Sequence, residues 1–169
     1  MKVFEGPGLI FGDCVNTDEL HPSTFYSLRP ETVRAGFARH VSGHEDTSSR
    51  DLRGAIVVAG RTFGIGSSRE TGARVFRLAG IQAVVAESFA RIFQRNLLNL
   101  GVPALECPGL ARILRSHRPA RLRVVMDRGG GTLEWEEMRL ELSPLDPFWW
   151  DVLDSGGLLD WMGVPVSRA

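Results

Sequence analysis

The stretch Gly60-Arg61-Thr62-Phe63-Gly64-Ile65-Gly66-Ser67-Ser68-Arg69-Glu70 concentrates groups that bind anions. Its glycines permit positive φ and close backbone approach. Ser67 and Ser68 offer hydroxyls, and Ser67-x-x-Glu70 has the spacing of a capping box for a following helix. Free N–H groups and the positive end of a helix dipole attract negative charge at such a point. Arg69, on the first turn, adds a bidentate donor for carboxylate or phosphate. Three readings of these residues stay open. One is a capped helix with a surface arginine. Another is a dinucleotide site, because Gly64-x-Gly66 follows a strand and Glu87 ends the next one, where a ribose ligand belongs. Arg69 stands against it, since a third glycine would be needed there for close packing. The third is a carboxylate site with a reactive serine.

A second polar cluster runs Gly12-Asp13-Cys14-Val15-Asn16-Thr17-Asp18-Glu19-Leu20-His21-Pro22. Spacing alone reads it as an Asx-rich turn. His40 and His44 are spaced for one helix face, as zinc ligands are, but Gly43 and the polar surroundings favour a surface position. Cys14 and Cys107 read as packing residues. The Trp149-Trp150 pair reads as core, or as a subunit contact.

These groups need elements to hold them. Ala55 to Gly60 and Ile81 to Ala86 are short, apolar, β-branched runs that read as buried strands. Between them Ser68 to Ala79 reads as a helix with Gly72, Val75, Phe76 and Ala79 on one face. Strand, helix and strand make a βαβ crossover with parallel strands. A second helix is expected from Ser88, as N-cap, to Leu100, with Phe89, Ile92, Phe93, Leu97 and Leu100 as its apolar stripe and Gly101 as its stop. Pro30 to Val41 has helical character, Ser42 to Arg53 reads as an exposed loop, and Leu105 with its neighbours as a short strand. Arg121 to Asp127, the glycines that follow, and Thr132 to Leu142 predict a β-hairpin. The aromatic tail from Phe148 to Trp161 reads as helical. The expected fold is one α/β domain with a mixed sheet over residues 1–169.

The chain has 169 residues, with twenty Lys or Arg balanced by twenty Asp or Glu. Zero net charge argues against a dedicated nucleic-acid or membrane-surface binder. Lys2 is the single lysine, so a P-loop lysine and a Schiff-base lysine are unavailable. Two cysteines cannot make a four-cysteine metal site or a disulfide framework. The first residues lack the apolar region of a signal peptide, which points to a reducing cytoplasm.

The blocks GDCVNTDELHP, IVVAGRTFGIGSSRE, LAGIQAVVAESFARIFQRNLLNLGVPALE and LDSGGLLDWM together resemble one family. They are similar to the small subunits of 3-isopropylmalate dehydratase and homoaconitase and to the swivelling domain of aconitase. The resemblance covers most of residues 8–107 and recurs near 153–162. It implies an aconitase-type swivelling β/β/α fold. It also implies a hydro-lyase that moves a hydroxyl between adjacent carbons of a malate-type acid, as in leucine biosynthesis. A large-subunit partner would carry a [4Fe–4S] cluster, and this chain would bind no metal itself.

The match with GSSRE makes Ser67 the candidate base that removes the proton alpha to a carboxylate. Ser68 and Arg69 would hold substrate carboxylates. Thr17 and Asp18 match a Thr-Asp pair near the catalytic serine. His21 lies beside them as a further candidate for substrate binding, and Arg29 falls in the loop that reads the substrate's variable group. A serine alkoxide needs strong electrostatic help, which Arg69, the helix terminus and the partner's cluster would supply. The sequence departs from the pattern after GSSRE, where the family's usual His-Ala is replaced by Thr71-Gly72. Gly in the first helical turn costs about 1 kcal/mol relative to Ala. Two alternatives stay open: a dehydratase subunit for another alkyl-substituted malate or maleate, and a non-catalytic anion-binding module.

Overall fold

The computed structural model describes residues 1–44, 51–66 and 69–164. Seven strands form one mixed sheet: β1 (Lys2–Ile10), β2 (Ile56–Ala59), β3 (Ala83–Ala86), β4 (Ala104–Glu106), β5 (Arg121–Asp127), β6 (Gly130–Trp135) and β7 (Met138–Leu142). Their order is β4-β3-β2-β1-β5-β6-β7. The four strands β1 to β4 are parallel, and β2 and β3 are buried along their whole length, as sheets covered on both faces require. The expected βαβ crossover is present: α3 (Thr71–Ala79) joins β2 to β3 and buries Gly72, Ala73, Val75, Phe76 and Ala79. A further helix, α4 (Arg91–Asn99), joins β3 to β4 and packs on α3. Phe63, Phe76 and Phe93 meet edge to face between these helices and the sheet.

β1 works on both sides. Its residues Lys2 to Pro7 pair antiparallel with β5, while Gly8 to Ile10 pair parallel with β2. The apolar alternation that marks a strand is broken there by Gly6-Pro7-Gly8, so the sequence pattern misses it. The C-terminal half is a meander of three strands rather than one hairpin. Gly130 and Gly131 lie within β6, and a second tight turn at Glu136, with φ 49°, splits Thr132 to Leu142 into β6 and β7.

Several expected boundaries move, each for a local reason. The helix from Pro30, α2 (Pro30–Ala35), ends six residues early, at Gly36, which packs against Phe25 and His21. Val33, Phe37 and Val41 are still buried. Ser88 does not cap α4; its Oγ accepts the Thr62 N–H at 2.9 Å, and the helix starts at Arg91. Ile92 is 53% exposed, and Leu98 takes its place in the core. The aromatic tail is two helices, α6 (Pro147–Ser155) and α7 (Leu158–Trp161), broken at Gly156-Gly157. Trp150 is core and Trp149 packs against it. His40 and His44 share no helix: His44 Nε2 bonds the Ile10 carbonyl at 2.8 Å and its ring stacks on Phe11. Cys14, expected as packing, is exposed; Cys107 is buried as expected.

Candidate active site

Two loops meet at the carboxyl edge of the parallel strands. The one after β1 begins at Phe11 and the one after β2 at Gly60, where ligands of open α/β sheets commonly bind. They are laced by backbone bonds: Cys14 N–H to the Arg61 carbonyl at 2.7 Å, Gly64 N–H to Val15 at 3.0 Å, and Thr17 N–H to Ile65 at 2.7 Å. Asp13 ties them again, accepting the Arg61 N–H at 2.8 Å and its guanidinium at 2.8 Å. The Arg61 bonds hold the Asp13 carboxyl below the usual carboxylate range.

The polar cluster before Pro22 is more than a turn. Asn16 caps a short helix, α1 (Thr17–Leu20), taking the Asp18 N–H at 2.8 Å, while Glu19 reaches back to the Asn16 N–H at 2.8 Å. This is a full capping box, with Asn in place of Ser. α3 starts at Thr71 with Glu70 at its N-cap position, and the capping box expected between Ser67 and Glu70 falls partly outside the described residues. Ser67 and Ser68 themselves lie outside the described residues. Their neighbours do not. Gly66, with φ 110°, leaves no room for a side chain, because a Cβ there would lie 2.6 Å from Asn16 Oδ1 and 3.0 Å from Thr17 Oγ1. Gly64, with φ 80°, is pressed against the Phe93 ring.

Around this point several expected residues converge. Thr17 is 3% exposed and wedged between Gly66 and Gly72. Asp18 is exposed and reaches Arg69 at 3.8 Å. The Arg69 guanidinium lies over the Tyr26 ring, 4.9 Å from its centroid. His21 is fully buried, so its ring meets protein rather than solvent: Nε2 bonds the Val33 carbonyl at 3.1 Å, and the ring stacks on Tyr26 at 5.4 Å. A carbonyl only accepts, so Nε2 carries the proton, and Nδ1 is buried without a partner among the described residues. Burial, then the nearby Arg74 charge, push its pKa down. Arg29 is exposed at the start of α2, its N–H bonded to Ser27 Oγ at 3.0 Å. The structure brings Thr17, Asp18 and Arg69 together beside Gly66 and sets Arg29 on the adjoining loop. Asn16 and Tyr26 were not singled out from the sequence. The Asn16-x-x-Glu19 spacing was the signal for one; Tyr26, the single tyrosine, carried none.

Glu87, weighed as a ribose ligand, instead accepts the Ala111 N–H at 2.8 Å at the start of a short helix, α5 (Leu110–Leu114). An iron–sulfur cluster does not fit the donors of this chain. Such a cluster takes several thiolates, and the two cysteines are Cys14, exposed, and Cys107, whose thiol burial pushes up to about 11. Among the described residues, no three His, Cys, Asp or Glu side chains gather as a metal site.

Comparison with known proteins adds the family. The model of the aconitase C-terminal domain matches residues 24–109. The 3-isopropylmalate dehydratase small subunit 1 of Thermotoga maritima is 32% identical over 154 residues, covering 90% of each chain. That of Methanopyrus kandleri is 36% identical over 172 residues, covering 99% of this chain and 96% of the relative. A crystal structure of 3-isopropylmalate dehydratase from Methanocaldococcus jannaschii superposes with a TM-score of 0.83 at 25% identity, over 96% of this chain and 94% of that one. The seven-stranded mixed sheet with its flanking helices and these matches agree, and the chain belongs to the family of 3-isopropylmalate dehydratase small subunits, hydro-lyase subunits built on the aconitase C-terminal domain.

Proposed function

We propose that this chain, as one domain, closes over a large iron–sulfur subunit in the cytoplasm. Together they isomerise a substituted malate such as isopropylmalate by dehydration and rehydration. The observation that carries the reading is the gathering of Arg69, Asp18 and Thr17 beside Gly66, at the mouth of the loop that leads into α3. In this reading the [4Fe–4S] cluster belongs to the large subunit. Ser67 Oγ takes the proton from the carbon alpha to a substrate carboxylate and returns it on the rehydration side. Ser68 and Arg69 grip carboxylate oxygens; a guanidinium suits that geometry. Thr17 and Asp18 bind the substrate beside them, and Arg29, at the open edge, faces its variable group. The α3 terminus and Arg69 place positive charge where an alkoxide must form.

The test is co-purification with the large subunit under anaerobic conditions, then assay on a panel of substituted malates and maleates. Activity on 3-isopropylmalate is expected, and Ser67→Ala should lower kcat by at least about a hundredfold, the range for removal of an acid–base group. A complex inactive on every member overturns the reading. An active complex in which Ser67→Ala changes nothing overturns the assignment of the base. Thr71-Gly72 favours one second reading, another alkyl-substituted malate, because the Thr71 hydroxyl is buried without a partner among the described residues where the resembled family carries histidine. A higher kcat/KM for a different alkyl group in the same panel selects it.

A further inference from the structure

An arginine that grips a carboxylate must hold a planar fork at the end of a flexible stem. The ion pair of Arg69 with Asp18 is long at 3.8 Å, and both side chains are more than half exposed. Pairs of this kind are worth little. A second geometric constraint is a stack, with the Arg69 charge over the Tyr26 ring and that ring on His21. The Arg69 guanidinium lies 4.9 Å from the Tyr26 centroid. The Tyr26 ring lies 5.4 Å from that of His21, at an interplanar angle of 28°. His21 is anchored through Nε2 to Val33 in α2 and enclosed by Gly36, which has no side chain to displace the ring.

The loop carrying Tyr26 is fixed on both flanks. Tyr26 N–H bonds the Ser23 carbonyl at 3.1 Å, and Arg74 in α3 donates to the Ser27 carbonyl at 3.3 Å. The stack therefore runs from a buried histidine, across the loop, to the residue that leads into α3. It holds the guanidinium by its charge over the ring face, a contact that needs no hydrogen bond.

Resting on the dehydratase reading, we infer that Tyr26 and His21 are positioning residues for Arg69, the stack orienting its guanidinium toward a substrate carboxylate. His21 thus serves the site through Tyr26 rather than by touching substrate. The inference makes the ring of Tyr26 the functional part and its hydroxyl dispensable.

Two readouts separate the stack from the reading it rests on. In the full chain alone, NMR of the arginine Nε–Hε groups should find Arg69 displaced by the ring current of Tyr26. Tyr26→Leu should abolish that displacement and Tyr26→Phe keep it. In the complex with the large subunit, Tyr26→Leu should raise KM for 3-isopropylmalate about two- to fivefold with kcat little changed, the scale of one exposed cation–π contact. Tyr26→Phe should recover most of that loss. A wild-type Arg69 signal without a ring-current shift overturns the inference, even where Tyr26→Leu fails to fold. So does a KM that Tyr26→Leu leaves untouched. A shifted Arg69 signal in a complex inactive on all malates supports the stack and counts against the dehydratase reading alone.

Discussion

Gly66 sits directly against Asn16: a Cβ on the glycine would lie 2.6 Å from Asn16 Oδ1. That oxygen is already engaged with the Asp18 N–H, so it cannot swing away without uncapping α1. Besides their backbone bonds, the two loops of the candidate site therefore meet at a close contact, glycine backbone on one side and a capping amide on the other.

Gly66→Ala should break that contact. It meets both the clash and a φ of 110° that L residues rarely adopt. A loss of about 1–3 kcal/mol is expected from the strain alone, measured as a lower urea midpoint, together with loss of activity in the complex. A variant as stable and as active as the parent would contradict the described contact.

Gly72→Ala should do the reverse. Gly72 is in the first turn of α3, and a Cβ there would be 3.5 Å from Thr17 Cβ and 4.0 Å from Phe93 Cε2, ordinary packing distances. The gain expected from helix propensity is about 0.5–1 kcal/mol, read as a higher urea midpoint. A lower midpoint would mean that α3 has no room on its Thr17 side.

His21 should give stability a pH dependence. Its folded pKa lies below the ordinary 6.5, chiefly because burial disfavours the imidazolium. Above 6.5 the ring is neutral in both states and contributes no slope. Below it the unfolded chain takes up a proton that the folded chain refuses, so stability falls as pH falls toward the folded pKa. Urea midpoints between about pH 7.5 and 5.5 should drop less in His21→Gln than in the parent. Equal slopes would assign the effect elsewhere.

The two thiols should differ sharply in reactivity. Cys14 is exposed, whereas Cys107 is buried with its thiol pushed up to about 11, first by burial and then by Glu87. A thiolate-selective reagent near neutral pH should modify one cysteine per folded chain, identified as Cys14 by peptide mapping, and the second only on unfolding. Rapid labelling of Cys107 in the folded chain would contradict its burial.

Much of the fold is legible in the sequence. The βαβ unit is, because β2 and β3 are continuous apolar runs and α3 carries a clear stripe. Thr17 and Asp18 stand out only through the resemblance, as neighbours of the expected serine; spacing alone reads them as part of a turn. What escaped did so for physical reasons. β1 is interrupted by Gly6-Pro7-Gly8, which removes the apolar alternation. Ser88 looks like an N-cap but is drawn to the Thr62 N–H across the loop. The Tyr26 stack joins residues from two separate loops, and no local pattern reports such a contact. Ser67, the expected base, lies outside the described residues.

The divided pairing of β1 has a consequence for how the chain reaches this form. Its outer half closes with β5, Lys2 against Met126, so the first strand made is completed among the last. Closing so long a loop has a large entropic cost before any contact rewards it, and non-local pairing of this kind slows folding. The loop from Phe11 to Arg29 hangs from that strand. The strand from which that loop leaves thus completes its pairing only when the C-terminal meander is in place, although its inner half can already pair with β2.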